Sequence, residues 1–557
     1  MKLIKIIPCI MILSMVANIG ITNIYANSNV YKINNMSDFE KFQQNEMDIL
    51  LKNDVIELNV DLNFNNKEIT PIGYGFIAKQ FIKEFNGNGH TLKNFKINSQ
   101  DENIGLFGKN LGYIHDLNID NATINGKNNV GVIAGTSLYY GGLSVRDNSG
   151  KIINVRVFNS SIFGNDNVGG IVGKQVSGIL DNSIIDNINI VGRNNVGGTV
   201  GASLINQSGK NSIIQNSALL NLDIRANNYV GGVVGLAKKK LNDTQTTIID
   251  SVSVKEKMMI WAKENVGGVV GNLDGILTSA TIDVNKPNNN PFWHNIYGTN
   301  EVGGIVGDTG NEDGHNYIDS VKSNAFVLGT NEVGGVAGDN DTKINNAEFW
   351  GKITGDTQLG GIAGSNSSKI YDSKNYASVY CNSAKDIYCM AGGFVGISTG
   401  SEAYIENGYT SGNLYAQGGK IGGFAGQNTR GAKIYKGYVG SMQKIVKVQS
   451  SGEFVGGFVG LNSENANILI AKSHANVEAV TGKSIGGFVG MNYTSSIIKD
   501  SVATGNVIGS VNVTGEFAGT NHSNAKIEKS KTTNIGIIDT TKNPFVGYNE
   551  KTGIVIM

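Results

Sequence analysis

Val168-Gly169-Gly170-Ile171-Val172-Gly173 returns as Val196-Gly197-Gly198-Thr199-Val200-Gly201, as Val230-Gly231-Gly232-Val233-Val234-Gly235 and, far down the chain, as Val455-Gly456-Gly457-Phe458-Val459-Gly460. Further copies begin at Val266, Val302, Val333, Leu359, Ala391, Ile421 and Ile485, with weaker ones at Val130 and Thr514. Successive copies lie 26 to 38 residues apart, with a mean of 32. A period of that size marks a repeat architecture, in which one supersecondary unit stacks on the next.

Around each copy the order is a turn rich in Asn and Gly, the Gly-Gly segment, a variable loop, then an alternating stretch. Ile184-Ile185-Asp186-Asn187-Ile188-Asn189-Ile190 is one such stretch, and Ile497-Ile498-Lys499-Asp500-Ser501-Val502 is another. Period-2 alternation with β-branched residues and Gly/Asn punctuation reads as short strands. No repeat offers the 3.6-residue periodicity of a helical solenoid. The expected fold is therefore all-β, a parallel β-helix of about 13 to 14 repeats. Val168 and Ile171, or Val455 and Phe458, should point inward. Gly is costly inside a strand, so its return at one site demands either a corner with positive φ or close approach of neighbouring coils.

Expected boundaries follow from the patterning. Residues 1–26 read as a secretory signal: Lys2 and Lys5, an apolar run from Ile6 to Ile21, then Ile24-Tyr25-Ala26 before the cleavage point. Residues 27–54 read as an N-terminal cap. Ser37-Asp38-Phe39-Glu40 has the capping-box form, so a helix is expected over Ser37 to Leu51, with Phe39, Phe42 and Met47 packed on the first coil. Val55 to Phe64 alternates strongly and opens the β-helix, which should run over residues 55–548, with 549–557 as a tail. After residue 26 no apolar run approaches the roughly 20 residues that span a bilayer, so a secreted or surface-associated protein without a membrane span is expected.

The 557 residues include 75 Gly and only 5 Pro, with 46 basic residues against 46 acidic. That neutrality argues against a nucleic-acid partner, which leaves a basic footprint. Cys9 departs with the signal, so Cys381 and Cys389 remain, and an oxidising compartment makes a disulfide between them or two free thiols the alternatives.

Ile104-Gly105-Leu106-Phe107-Gly108, followed by the Val-Gly-Gly series, resembles the GLUG motif repeats of bacterial surface proteins, best known beside the catalytic part of IgA1-type metalloproteases. Phe85-Asn86-Gly87-Asn88-Gly89-His90-Thr91-Leu92 is similar to the opening turn that precedes such repeats. The resemblance covers roughly Val55 to Tyr548 and implies a β-helical module, which that family also uses in adhesins. The protease members carry His-Glu-x-x-His. Here His90, His115, His294, His315, His474 and His522 include no pair four apart, and none precedes Glu. That zinc site cannot be assembled in that form, so no cofactor or metal is expected.

Other constellations are weak. Gly314-His315-Asn316 only faintly echoes a polysaccharide-active β-helix. Asp308-Thr309-Gly310-Asn311-Glu312-Asp313-Gly314 and Asp339-Asn340-Asp341 offer oxygen ligands without a calcium-loop spacing, and are expected to be solvated turns. Loops that leave the stack are the expected binding surface. Tyr139 and Tyr140 on one, and Phe292 and Trp293 on another, are the candidate ligand-binding residues, whose rings suit a sugar or a protein partner.

The expectation is a non-catalytic binding module, an adhesin or scaffold facing host or envelope glycoprotein or polysaccharide, and a monomeric rod. The alternatives are a relative or fragment of an IgA1-type metalloprotease and a polysaccharide-active β-helix enzyme.

Overall fold

Each repeat wraps once around a shared apolar column. In the computed structural model, the coil that begins at Asp166 runs through Asp166–Gly169, turns at Gly170-Ile171, continues through Val172–Val176, and returns along Ile179–Asp181 and Ile184–Val191. The next coil repeats this as Asn194–Gly197, Val200–Leu204, Ser212–Gln215 and Ala218–Arg225. The two coils pair parallel and in register, Val168 with Val196, Val172 with Val200 and Ile190 with Ile224. The described residues are 29–73, 80–140, 148–206, 209–239, 244–285, 294–310, 315–383, 389–479, 481–509, 513–533, 537–538 and 545–557.

Stacking produces three faces: one sheet of 14 strands, one of 15, and a broad face of 41 shorter strands. The fold is a parallel β-helix of about 15 turns. It exceeds the expected repeat number because decayed copies such as Phe107–Asn110 and Val546–Asn549 also take a place in the 15-stranded sheet.

The glycines have one dominant cause. A Cβ on Gly170 would lie 2.1 Å from the carbonyl oxygen of Gly198 in the next coil, and one on Gly173 would lie 2.3 Å from Val130 N in the preceding coil. Neither glycine has positive φ, so of the two requirements read from the sequence it is close backbone approach that operates here. Positive φ falls instead on the residue just before the motif, Asn167 (φ 57°) and Asn195 (φ 54°), a conformation Asn tolerates better than most residues. Those asparagines stack as well: Asn195 Nδ2 donates to Asn167 Oδ1 at 2.8 Å, and Asn167 Nδ2 to Asn129 Oδ1 at 2.7 Å.

Inside, Val168, Ile171, Val455 and Phe458 are fully buried, as their place in the motif requires. From Phe394 onward the position after Gly-Gly, or after Gly515-Glu516 in the weak copy at Thr514, is Phe. The rings of Phe394, Phe424, Phe458, Phe488 and Phe517 stack face to face at 4.6 to 4.8 Å. Small residues make room across the core: Gly408 lies against Phe424 and Gly437 against Phe458, the large-against-small complement of a close-packed interior. A second inward column is polar. Asn428, Asn462, Asn492, Asn521 and Asn549 pass one hydrogen bond per coil from Nδ2 to the next Oδ1, each 2.9 Å.

The N-terminal region differs from its expected outline. Strand β1 (Val30–Ile33) already pairs with β2 (Val55–Leu58), so the ladder starts ahead of Val55. Val55 to Phe64 is not one strand, because β3 (Leu62–Glu68) follows after a break. Between β1 and β2 lie α1 (Met36–Gln44) and α2 (Glu46–Lys52). The N-cap is Asn35, whose side chain accepts from Asp38 N, and Ser37 sits inside the first turn. Asp38 in turn accepts from Asn34 N, so an Asn–Asp pair does what the Ser–Glu pair was expected to do. Phe39 and Phe42 are buried against the first coils, with Phe39 edge-on to Phe64 at 5.1 Å, whereas Met47 is exposed. The signal segment lies outside the described residues.

Candidate functional site

Tyr139 and Tyr140 follow directly on Ala134–Leu138. Tyr140 is 57% exposed, while Tyr139 is half-buried with Lys210 Nζ 5.8 Å above its ring. Tyr139 lines an open cavity of about 610 Å³ together with Ser149, Lys151, Lys210, Asn211 and Gln245. Tyr140 is not among its lining residues. Phe292 and Trp293 lie outside the described residues. Cys381 and Cys389 form a disulfide with Cα atoms 6.7 Å apart.

Asn311 to Gly314 of the first Asp-rich segment lie outside the described residues, but Asp308 and Asp339 do not sit in simple solvated turns. Asp308 lies on Val306–Thr309 and Asp339 on Ala337–Asn340, and the two residues are direct register partners on neighbouring coils. Glu301 and Glu332 occupy the positive-φ position before the motif on those same coils, with φ 54° and 53°. Asn265 Nδ2 donates to both Glu301 Oε2 and Asp308 Oδ2, and Asn272 Nδ2 donates to Asp308 Oδ2 at 2.6 Å. Burial, and then the neighbouring carboxylates Asp308 and Asp339, push Glu301 and Glu332 respectively up to about 7. Burial, then Asp339, pushes Asp308 up to about 6, and Asp339 is raised in the same sense by burial and by Asp341. Like charges directly opposed across strands repel, and here the ladder enforces that opposition. The period-2 reading could not show this, because the alignment of Asp308 with Asp339 depends on the register of two coils of unequal length. Among the described residues no group of three or more His, Cys, Asp or Glu side chains is arranged to hold a metal ion. Nor is any helix there long and apolar enough to cross a membrane.

The sequence reading also missed an aromatic surface. Nine of the chain's 20 tyrosines fall between Tyr371 and Tyr438. Eight of them lie on the outer side of the broad face, half-exposed, because they alternate with buried residues such as Ile370, Ile405 and Ile434. Tyr380 and Tyr415 stack at 5.1 Å and 13°, and Trp350 and Tyr376 at 5.6 Å and 5°. Tyr371 pairs with Tyr404 and Tyr376 with Tyr409, each at 6.0 Å and tilted. Tyr404 donates to Glu406 at 3.2 Å, and burial followed by that carboxylate raises its phenol to about 12. The local density of tyrosine was the available signal.

No family model matches the chain. A stretch of 126 residues, 21% of this chain, is 33% identical to halomucin of Haloquadratum walsbyi, and it spans 1% of that protein's length. A solved structure, provisionally assigned as an immunoglobulin A1 protease from Bacteroides ovatus, covers 65% of this chain and 76% of its own at 16% identity, with a TM-score of 0.24. A superposition that loose bears on neither fold nor activity.

Proposed function

We propose that this protein is a secreted or surface-associated β-helical binding module, an adhesin or scaffold without catalytic activity, whose partner is a glycoprotein or polysaccharide. The observation that carries the reading is the division of labour within each coil. Inward positions keep nearly one chemistry, an aliphatic residue before Gly-Gly in every copy but the one at Thr514 and an apolar residue after it in every copy but the one at Thr199, while outward positions in register change freely, as in Thr354, Tyr380, Tyr415, Gln449 and Glu478. Such a scaffold tolerates surface variation at little cost to stability. The test is retention of the purified chain on an array of host glycoproteins and glycans that includes IgA1 and mucin. Retention on a defined subset supports the proposal, and retention on none contradicts it.

A second reading, a polysaccharide-active enzyme, is favoured by the carboxylates at Glu301, Asp308, Glu332 and Asp339. A carboxyl that holds its proton near neutrality is what a general acid of glycoside hydrolysis requires. Polysaccharide turnover that Glu301→Gln or Glu332→Gln abolishes would establish it.

A further inference from the structure

The tyrosine surface offers more than exposed area. Along one outward column the register runs Thr354, Tyr380, Tyr415, Gln449, Glu478. Lys352 Nζ covers one side of the Tyr380 ring at 4.8 Å, and Tyr415 stacks on the other. The stack stops at Tyr415, since the next coil supplies Gln449 in its place. Below that step lies a recess of about 360 Å³, lined by Tyr380, Tyr415, Gln417, Gln449, Glu478 and Thr481 among others.

Its polar groups fall into two kinds. Glu478 is held by Lys447 at 2.9 Å, so the one carboxylate in the recess is already neutralised. Gln417 and Gln449 are exposed, and their amides make no hydrogen bond to the described protein. An aromatic ring that ends a stack, beside free amides and without a net charge, is the chemistry that receives a sugar ring: the apolar face meets the aromatic and the hydroxyls meet donors and acceptors in pairs. The volume lies within the range of small-ligand sites. Aromatic pairs recur on the adjoining coils at Trp350–Tyr376, Tyr371–Tyr404 and Tyr376–Tyr409. Among them Glu348 lies between Lys322 at 3.5 Å and Lys374 at 3.8 Å, so its carboxylate is paired and one of the two ammonium charges is left over. A surface that repeats along one axis fits a polymer that repeats along its own, and several weak contacts then add through avidity.

We infer that the outer broad face from Trp350 to Glu478 is a binding surface for an uncharged polysaccharide, with the recess at Tyr415 and Gln449 as its best-formed subsite. The inference rests on the binding-module reading and specifies its ligand.

The full chain is run in native gels containing galactomannan, xyloglucan or dextran, with heparin as the anionic comparator. At least one neutral polysaccharide is expected to retard it. Tyr415→Gln, which installs the residue found one coil later, and Gln449→Ala should each weaken retardation about tenfold or more, while Tyr548→Ala, an exposed tyrosine on the last coil, should not. Retardation by heparin alone, by none of the neutral polymers, or unchanged in Tyr415→Gln overturns the inference. If glycoprotein retention on the array is seen while Tyr415→Gln leaves neutral-polysaccharide retardation unchanged, the binding-module reading stands and this site falls. If the unaltered chain is retained by nothing, both fall.

Discussion

A methyl group on Gly198 would sit 2.0 Å from the carbonyl oxygen of Gly232 and 2.6 Å from Leu219 Cδ2, and the first of these contacts is with backbone that a side-chain rotation cannot relieve. Gly198→Ala is therefore expected to destabilise the fold by about 1–3 kcal/mol, the range for overpacking a well-filled interior, as read by chemical denaturation. The asparagine column makes a different demand. Asn462 accepts from Asn428 and donates to Asn492, and all three are fully buried. Asn462→Leu keeps the size but leaves Asn492 Oδ1 without its donor and takes one acceptor from Asn428, at a cost of about 1–3 kcal/mol for each stranded group. Denaturation of that variant against Asn462→Gln separates the lost bond from the lost shape. The first asparagines of each run show that the fold tolerates one open end: Asn340 Oδ1 and Asn428 Oδ1 are buried without a partner, because Thr309 and Ser398 precede them in register.

Where strands pair, register turns single residues into columns. Phe458 lies between Phe424 and Phe488 at 4.8 Å from each, so Phe458→Ala should cost about 3–5 kcal/mol and lower the melting temperature without loss of the β-sheet signal at low temperature. The carboxylates of Glu301, Asp308, Glu332 and Asp339 form a column pair that works against the fold. Their protons are held to higher pH in the folded chain than in the unfolded one, so the native state binds more protons in the window between the usual carboxylate range and about 7, and stability falls as pH rises through it. The expected outcome is a melting temperature that drops between about pH 5 and about pH 8. Asp339→Asn, which takes one charge from the column, should flatten that slope and raise stability at the upper end. Register also explains what the sequence could and could not disclose. The coil, its strands and the inward Val and Phe positions were legible because each is defined within one repeat. The opposition of Asp308 and Asp339, the Tyr380–Tyr415 stack and the reason for the glycines were not, because each arises between repeats whose lengths vary from 26 to 38 residues.

Over the whole molecule, about fifteen coils at roughly 4.8 Å per stacked strand make a rod on the order of 70 Å long. Its interior is committed to holding that rod together, and what distinguishes one coil from another is written on its outer side. We propose that a chain organised this way holds its partner and does not transform it. The measurement that tests it most directly is a time course of the purified chain with IgA1, mucin and neutral polysaccharide, following bound protein and the mass of each partner together. Saturable binding to at least one of them, with every partner mass unchanged, is the expected result. Fragments that accumulate with time, and that disappear in Glu301→Gln or Glu332→Gln, would contradict it and move the function to the carboxylates.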